Sequence, residues 1–175
     1  MLSDLSLHIL DIARNSLDAN AAFIEINIVE NGHTVELEIT DNGDGMPEKI
    51  LENAVECGFS TKNSGGFGLY ILKEAALKSG GRFNVTSKYH EMFPNDHGTS
   101  IKVSFNDLPL GNITETILAI ISSAPTVDIL VTHISTKLNV RFDTREVRRI
   151  IKDIPLNSPE ILNWVKKEFD AQYTL

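Results

Sequence analysis

Four polar side chains share one stripe of the helix that the segment "HILDIARNSLDANAA", starting at position 8, predicts. At about 100° per residue, the apolar residues cover one broad arc, and His8, Asp11, Asn15 and Asp18 share the opposite arc. Such a stripe is either a solvated helix face or one wall of a binding site. The later segments of the chain bear on that choice.

A carboxylate is directed toward the core at the end of the next predicted hairpin. Apolar residues occupy every second position from 35 to 39, so Asp41 in "TDNGDGMP" is the next inward position, and a buried carboxylate needs donors. An EF-hand calcium loop is excluded, because Gly43, Gly45 and Met46 stand where that loop needs two oxygen ligands and a glycine. Two interpretations stay open: a glycine turn, or glycines that let a flat ligand approach while Asp41 accepts a hydrogen bond from it.

A glycine-rich segment, "SGGFGLYILKE", runs into a predicted helix. Gly66 and Gly68 resemble the start of a dinucleotide fingerprint, but Ile71 replaces its third glycine and the preceding segment is a loop instead of a strand. The sequence also contains no P-loop. Glycine-rich backbone at a helix start still offers N–H donors to an anion, so this segment is either a phosphate-binding loop or a packing turn.

The predicted elements that position these segments fall into two groups. Up to about residue 106 the order is helix, two strands, helix, polar loop, helix and two strands, which is typical of an α+β two-layer sandwich. After "NDLPLGN" the sequence predicts a small α/β accessory module over 112–175, with a helix, a β-hairpin and two helices. We therefore expect one domain over 1–106 and this accessory module after it.

Composition limits the classes of protein that need to be considered. The 175 residues are 42% hydrophobic and carry a formal net charge of −8, which disfavours binding to nucleic acid or to an anionic membrane. The single cysteine, Cys57, excludes an internal disulfide and a multi-cysteine zinc site. The sequence has no apolar run of membrane-spanning length and no basic signal-peptide start, so we expect a cytoplasmic protein.

The three segments, in this order, resemble the N, G1 and G2 boxes of the GHKL ATPases, which include DNA gyrase B subunits, heat-shock chaperones, histidine kinases, anti-sigma serine kinases and mismatch-repair ATPases. The resemblance covers roughly residues 5 to 105 and implies a Bergerat-type ATP-binding fold with ATP and Mg²⁺ as cofactors. It implies that Asp41 accepts from the adenine amino group, that Gly43 and Gly45 let the base lie close, and that Asn15 holds Mg²⁺. Thr99 matches the small hydroxyl residue that supports the adenine site.

The same resemblance assigns the remaining contacts to phosphate. Gly66, Gly68 and Leu69 match the lid and helix start that contact phosphate groups, and Lys62 in "FSTK" matches a lid lysine that reaches the terminal phosphate. Members that hydrolyse ATP carry a glutamate four residues before the magnesium asparagine, where this chain has Asp11, which is one methylene shorter. Asp11 is therefore the candidate catalytic base, acting slowly or through an extra water, or it is only a group beside the metal.

The sequence favours a Mg-ATP-binding regulator in signal transduction that acts as a kinase-like protein on a partner, as anti-sigma serine kinases do. Self-phosphorylation of the sensor-kinase type is not expected, because only seven residues precede His8. Two alternatives stay open: an ATP-driven clamp that dimerises, and a nucleotide-sensing module that never turns ATP over. The expected partners are an adenine nucleotide, a protein and, in the clamp alternative, a second copy of the chain.

Overall fold

The computed structural model of the chain describes residues 4–56 and 68–173. Its helices are α1 (Leu5–Asp18), α2 (Glu48–Ala54), α3 (Gly68–Lys78), α4 (Ile113–Ser123), α5 (Thr144–Ile151) and α6 (Pro159–Tyr173). Its strands are β1 (Phe23–Asn31), β2 (Thr34–Asp41), β3 (Arg82–Lys88), β4 (Gly98–Asn106), β5 (Asp128–Ile134) and β6 (Asn139–Asp143).

The strands form one sheet in the order β3-β4-β2-β1-β5-β6. Neighbouring strands are antiparallel except β1 and β5, which run parallel with Ile26 opposite Val131. The register of β2 sets Asp41 opposite Ile24 on one side and opposite Thr99 on the other. Asp41 therefore lies at one end of the sheet, where β2 leads into the "DNGDG" loop.

Alternation of apolar and polar residues gives the sheet two different faces. The side chains of the inner face are buried and apolar, and they include Ile24, Ile26, Ile28, Leu37, Ile39, Ile101, Val103, Phe105, Ile129 and Val131. Helices α1, α3, α4 and α6 contact this face or one another, and their apolar side chains complete a single core. This arrangement confirms the predicted α+β sandwich, since a strand with one buried face needs a covering layer.

The elements after residue 112 extend the same sheet and core. Helix α4 packs on α1, and the hairpin β5–β6 continues the sheet beyond β1. Across the parallel pair, the hydroxyl of Thr132 donates to Oδ1 of Asn27 at 2.6 Å. The sheet thus runs without a break from the range 1–106 into the range 112–175, and their separation into a domain and an accessory module stays a prediction.

A buried polar cluster joins the end of α6 to the sheet. His133 is fully buried, with its Nε2 2.8 Å from Oε1 of Glu30 and its Nδ1 3.1 Å from the hydroxyl of Tyr173. In the neutral ring, Nε2–H donates to the carboxylate and Nδ1 accepts from the tyrosine. Burial, reinforced by the charge of Glu30, raises the pKa of Tyr173 to about 12.

None of the described helices combines the length and the apolar composition that a bilayer span requires.

Candidate functional site

Asp41 is a buried carboxylate held by donors from three segments, and only 9% of the residue is exposed. Its Oδ1 accepts from the backbone N–H of Gly43 at 2.9 Å and of Thr99 at 3.3 Å. Its Oδ2 accepts from the hydroxyl of Ser16 on α1 at 2.7 Å. The inward position that the strand alternation predicts is the observed one, and the donors that such a carboxylate needs are present.

The hydrogen-bonding capacity of Asp41 exceeds the three donors seen among the described residues. An ionised carboxylate offers about four acceptor sites, and Oδ1 already receives two N–H groups. From residues 4–56 and 68–173, Oδ2 receives only the Ser16 hydroxyl, so it keeps an acceptor direction for one more donor. A ligand with an N–H group at this end of the sheet would fill that direction.

Backbone contacts within the protein explain why the loop after Asp41 contains glycine. A Cβ on Gly43 would lie 2.7 Å from the carbonyl oxygen of Ala19, which also accepts from the N–H of Asp44 at 2.7 Å. Gly45 has a positive φ of 67°, and a Cβ there would overlap the carbonyl of Lys88. Both glycines are therefore needed for packing against neighbouring backbone, whether or not a flat ligand lies beside them.

Ser87 at the end of β3 connects the loop to the start of β4, and sequence reasoning did not identify it. Its hydroxyl accepts from the N–H of Met46 at 2.8 Å and donates to the carbonyl of Gly98 at 3.0 Å. It also lies 2.9 Å from the hydroxyl of Thr99. Thr99 thus contacts Asp41 through its backbone and Ser87 through its side chain, so it lies beside Asp41, and its role in a ligand site stays a prediction.

Ser16 was also missed, although one signal in the sequence could have revealed it. Ser16 lies on the apolar arc of α1, and it is 2% exposed. A hydroxyl and a carboxylate that both occupy core-facing positions must find partners inside the protein, and each is the other's obvious partner. His90 and His97, in the connection between β3 and β4, contact the loop as well, and no periodic pattern in the sequence marks them.

The polar stripe of α1 divides into two environments. Asp11 and Asn15 are exposed and face the first residue of α3, since a Cβ on Gly68 would lie 3.9 Å from Cβ of Asp11 and 3.5 Å from Nδ2 of Asn15. His8 is instead 3% exposed and stacks on Phe105, with ring centroids 5.8 Å apart. Burial lowers the pKa of His8, against the opposing charges of Asp11 and Asp4.

The phosphate-contact residues predicted from the sequence are only partly covered by the structure. Gly68 begins α3 next to Asn15, and Leu69 is half-buried and packs against the core. Lys62 and Gly66 lie outside the described residues, as does Cys57. The structure therefore brings together Asp11, Asn15 and Gly68 at one point, and Asp41, Gly43, Gly45 and Thr99 at another, with α1 contributing to both through Asn15 and Ser16.

The residues that surround Asn15 suit a magnesium ion that is shared with phosphate. No group of three or more histidine, cysteine, aspartate or glutamate side chains in residues 4–56 and 68–173 forms a site for a metal ion held by protein alone. Mg²⁺ commonly takes one or two protein oxygens and completes its shell with phosphate and water. The exposed amide of Asn15, one turn from the Asp11 carboxylate, fits that pattern.

A concavity elsewhere on the sheet does not belong to this cluster. It has a volume of about 360 Å³ and lies on the outer face over β1, β2, β3 and β4. Its lining includes Glu38 and Lys102, which form an ion pair at 2.9 Å, and Arg82 at the far end of β3 from Ser87. Because Asp41 continues the inner-face alternation of β2, this concavity and the cluster around Asp41 lie on opposite faces of the sheet.

Comparison with known proteins adds a family match over most of the chain. The model of the family "Histidine kinase-, DNA gyrase B-, and HSP90-like ATPase" matches residues 2–110. Sensor protein CitS of Halalkalibacterium halodurans is 40% identical over 60 residues, which are 33% of this chain and 11% of that protein. Sporulation kinase B of Bacillus subtilis is 28% identical over 106 residues, 58% of this chain and 23% of that protein. The chain thus spans less than a quarter of the length of these relatives.

Two solved structures share the fold at low sequence identity. The Aquifex aeolicus MutL ATPase domain complexed with ADP superposes with a TM-score of 0.55 and 17% identity over 87% of this chain and 70% of that one. The N-terminal domain of a DNA repair protein superposes with a TM-score of 0.54 and 19% sequence identity, over 80% of this chain and 51% of that one. Because the overlap with the first structure reaches 87% of the chain, it extends beyond residue 110 into the C-terminal elements.

Proposed function

The chain belongs to the histidine kinase-, DNA gyrase B-, and HSP90-like ATPase family, and on that premise we propose that it binds Mg-ATP between α1, the end of β2 and the start of α3. The observation that carries the proposal is the Asp41 carboxylate, buried among three donors with an acceptor direction left on Oδ2. An adenine amino group is a donor of the right kind for that direction. The MutL ATPase domain that shares this fold was solved with ADP.

The phosphate end of the nucleotide lies beside Asn15 and Gly68 in this proposal. The first N–H groups of a helix have no partners within the helix, so the start of α3 offers donors to an anion. Asn15 faces that start, since its Nδ2 is 3.5 Å from where a Cβ on Gly68 would be. Mg²⁺ bound by Asn15 would neutralise phosphate charge, and Lys62 and Gly66 are assigned to phosphate by the family resemblance.

Asp11 is the proposed catalytic group. Its side chain is exposed on the same face of α1 as Asn15, one turn earlier, which supports a position beside the phosphates of the proposed nucleotide. We assign it the role of a general base that acts on an attacking hydroxyl or water, and its short side chain makes turnover slow. The competing proposal, a sensor that binds ATP without turning it over, assigns Asp11 only to the surroundings of the metal.

The similarity to sporulation kinase B supports a kinase-like version of the function, and in this version we propose transfer of phosphate to a partner protein in the manner of an anti-sigma serine kinase. The segment "NSLDA", which resembles the N box of the mismatch-repair ATPases, favours instead an ATP-driven clamp that dimerises. A cytoplasmic location and homodimer formation stay predictions that belong to these two versions of the function.

Calorimetry with Mg-ATP tests the binding proposal. Wild type is expected to bind, and Asn15→Ala is expected to lose at least tenfold in affinity for Mg-ATP, because a metal ligand has been removed. Asn139→Ala is the matched control, since Asn139 is an exposed residue on the edge strand β6, far along the sheet from Asp41. Absence of heat with wild type, or equal losses in the two variants, would contradict the proposed site.

Labelled ATP then separates the three versions of the function. Transfer of label to a partner protein supports the kinase-like regulator, and release of free phosphate with ATP-dependent dimerisation supports the clamp. Binding without either product supports the sensor. Each reaction needs Asp11→Asn alongside wild type, because only the first two versions require the carboxylate.

A further inference from the structure

The connection between β3 and β4 holds the loop that follows Asp41 from its outer side. The backbone N–H of His90 donates to the carbonyl oxygen of Asp44 at 2.9 Å, and Nδ1 of the His90 imidazole lies 3.2 Å from the same oxygen. Nδ1 of His97 lies 2.6 Å from the carbonyl oxygen of Gly43. A carbonyl oxygen only accepts, so the His97 ring carries its proton on Nδ1 and donates it.

The peptide groups of Gly43 are therefore fixed from two directions. Its N–H donates to Oδ1 of Asp41 at 2.9 Å, and its carbonyl accepts from His97 at 2.6 Å. Two residues after His97, the N–H of Thr99 donates to the same Oδ1 at 3.3 Å. One short segment, from His97 to Thr99, thus orients Asp41 directly through a backbone donor and indirectly through Gly43.

We propose that His97 is a positioning residue of the nucleotide site, which acts on Asp41 through the Gly43 carbonyl without touching the nucleotide. The inference rests on the proposed function, since Asp41 is taken as the acceptor for adenine. Glycine has the greatest backbone freedom of any residue, and the peptide group that carries the Gly43 carbonyl is held on one side by the Asp44 N–H, which donates to the carbonyl of Ala19 at 2.7 Å. The His97 imidazole adds a second restraint on the same peptide group, from a side chain that is itself half-buried.

Three histidine variants isolate this effect. His97→Ala removes the donor, whereas His97→Asn keeps an amide N–H near the position of Nδ1. His33→Ala is the matched control, because the His33 side chain is 90% exposed and pairs with Asp107 at the opposite end of the sheet. The affinity of each protein for Mg-ADP is measured by calorimetry, and the exchange rate of the Gly43 amide is measured by NMR in the nucleotide-free protein.

His97→Ala is expected to bind Mg-ADP about five- to tenfold more weakly, which corresponds to the loss of one neutral hydrogen bond. Its Gly43 amide is expected to exchange faster, while His97→Asn stays within about threefold of wild type in both measurements. Equal affinity in His97→Ala and wild type overturns the proposal, and so does an Asn variant that is as weak as the Ala variant.

The two measurements also distinguish failure of this inference from failure of the proposed function. If wild type and His33→Ala both fail to bind Mg-ADP, the nucleotide site itself is wrong, and the positioning role falls with it. If wild type binds and the Gly43 amide of His97→Ala exchanges at the wild-type rate, only the positioning role is overturned. Faster exchange together with weaker binding supports it.

Discussion

Replacing Asp41 by asparagine separates recognition of the nucleotide from folding, because the two carboxylate oxygens have different partners. The amide oxygen of the new side chain can keep the two backbone N–H donors of Gly43 and Thr99 that Oδ1 accepts. The amide nitrogen then replaces Oδ2 and faces Ser16. That hydroxyl can accept from it and turn its own proton to the carbonyl of Ile12, which is 3.3 Å away.

The hydrogen bond to the nucleotide, unlike those within the protein, is expected to be lost. In the proposed complex Oδ2 accepts a hydrogen bond from the adenine amino group. In the variant an NH₂ group would oppose that amino group, so a charge-assisted bond is lost and two donors face one another. The cost is about 2–3 kcal/mol, or about thirty- to a hundredfold in affinity. In the folded variant the amide oxygen and the amide nitrogen each keep a hydrogen-bond partner. The free energy of unfolding should therefore fall by only about 1 kcal/mol, because a neutral amide oxygen is a weaker acceptor than a carboxylate.

The assay is calorimetric titration with Mg-ADP, with thermal unfolding of each protein as the check on folding. Asp44→Asn is the control for removal of one negative charge from this loop, because the Asp44 carboxylate is half-exposed and accepts from Asn20 at 2.7 Å. The Mg-ADP affinity of Asp44→Asn is expected to stay within about threefold of the wild-type affinity. Unchanged affinity in Asp41→Asn would refute the reasoning, and so would an equal loss in the control.

Three further predictions concern catalysis, pH and stability. Asp11→Glu is expected to raise ATP hydrolysis several-fold at unchanged Mg-ATP affinity, because only a group that acts in the transition state has been lengthened; lower turnover in a steady-state phosphate-release assay would count against the base. Burial lowers the pKa of His8 in the folded state from its ordinary value of 6.5. On acidification the unfolded state therefore takes up a proton first, and the free energy of unfolding falls as the pH drops below 6.5. His8→Phe keeps an aromatic ring on Phe105, and urea unfolding at pH 7 and pH 5.5 should show a smaller loss on acidification than in wild type, whereas an equal loss would exclude His8 as the cause. Tyr173→Phe removes the hydroxyl that lies 3.1 Å from Nδ1 of the fully buried His133 and should lower the free energy of unfolding by about 1–2 kcal/mol, with Mg-ADP affinity unchanged. Wild-type stability in urea would contradict that role.

Local periodicity was enough to predict the elements and the direction of Asp41. A strand has a period of two residues, so the pattern from 35 to 39 determines which way residue 41 points, and the observed burial of Asp41 agrees with it. The amphipathic pattern of α1 likewise predicts its buried arc, including Ser16. These features depend on residues close in sequence, which a single sequence displays directly.

Contacts between distant segments were not predictable in the same way. His8 fits the polar stripe of α1 by angle, but it is buried because Phe105, almost a hundred residues later, stacks on it. His97 contacts Gly43 across 54 residues, and a single histidine in a loop carries no periodic signal. The alternation of apolar and polar residues in β1 and β5 also does not reveal that these two strands pair. Each strand would show the same alternation if it paired with a different strand.

The parallel pairing of β1 with β5 also determines the order in which the protein is assembled during its synthesis. Asn27 and Thr132, which meet across this pair, are 105 residues apart, so a ribosome working at about 5–20 residues per second makes them about 5–20 s apart. Through that interval β1 is hydrogen-bonded to β2 on one side only, and its other edge stays open to chaperones or to neighbouring chains. Closure of the core is therefore a late, non-local step, and a chain that ends before β5 leaves this edge of β1 unpaired.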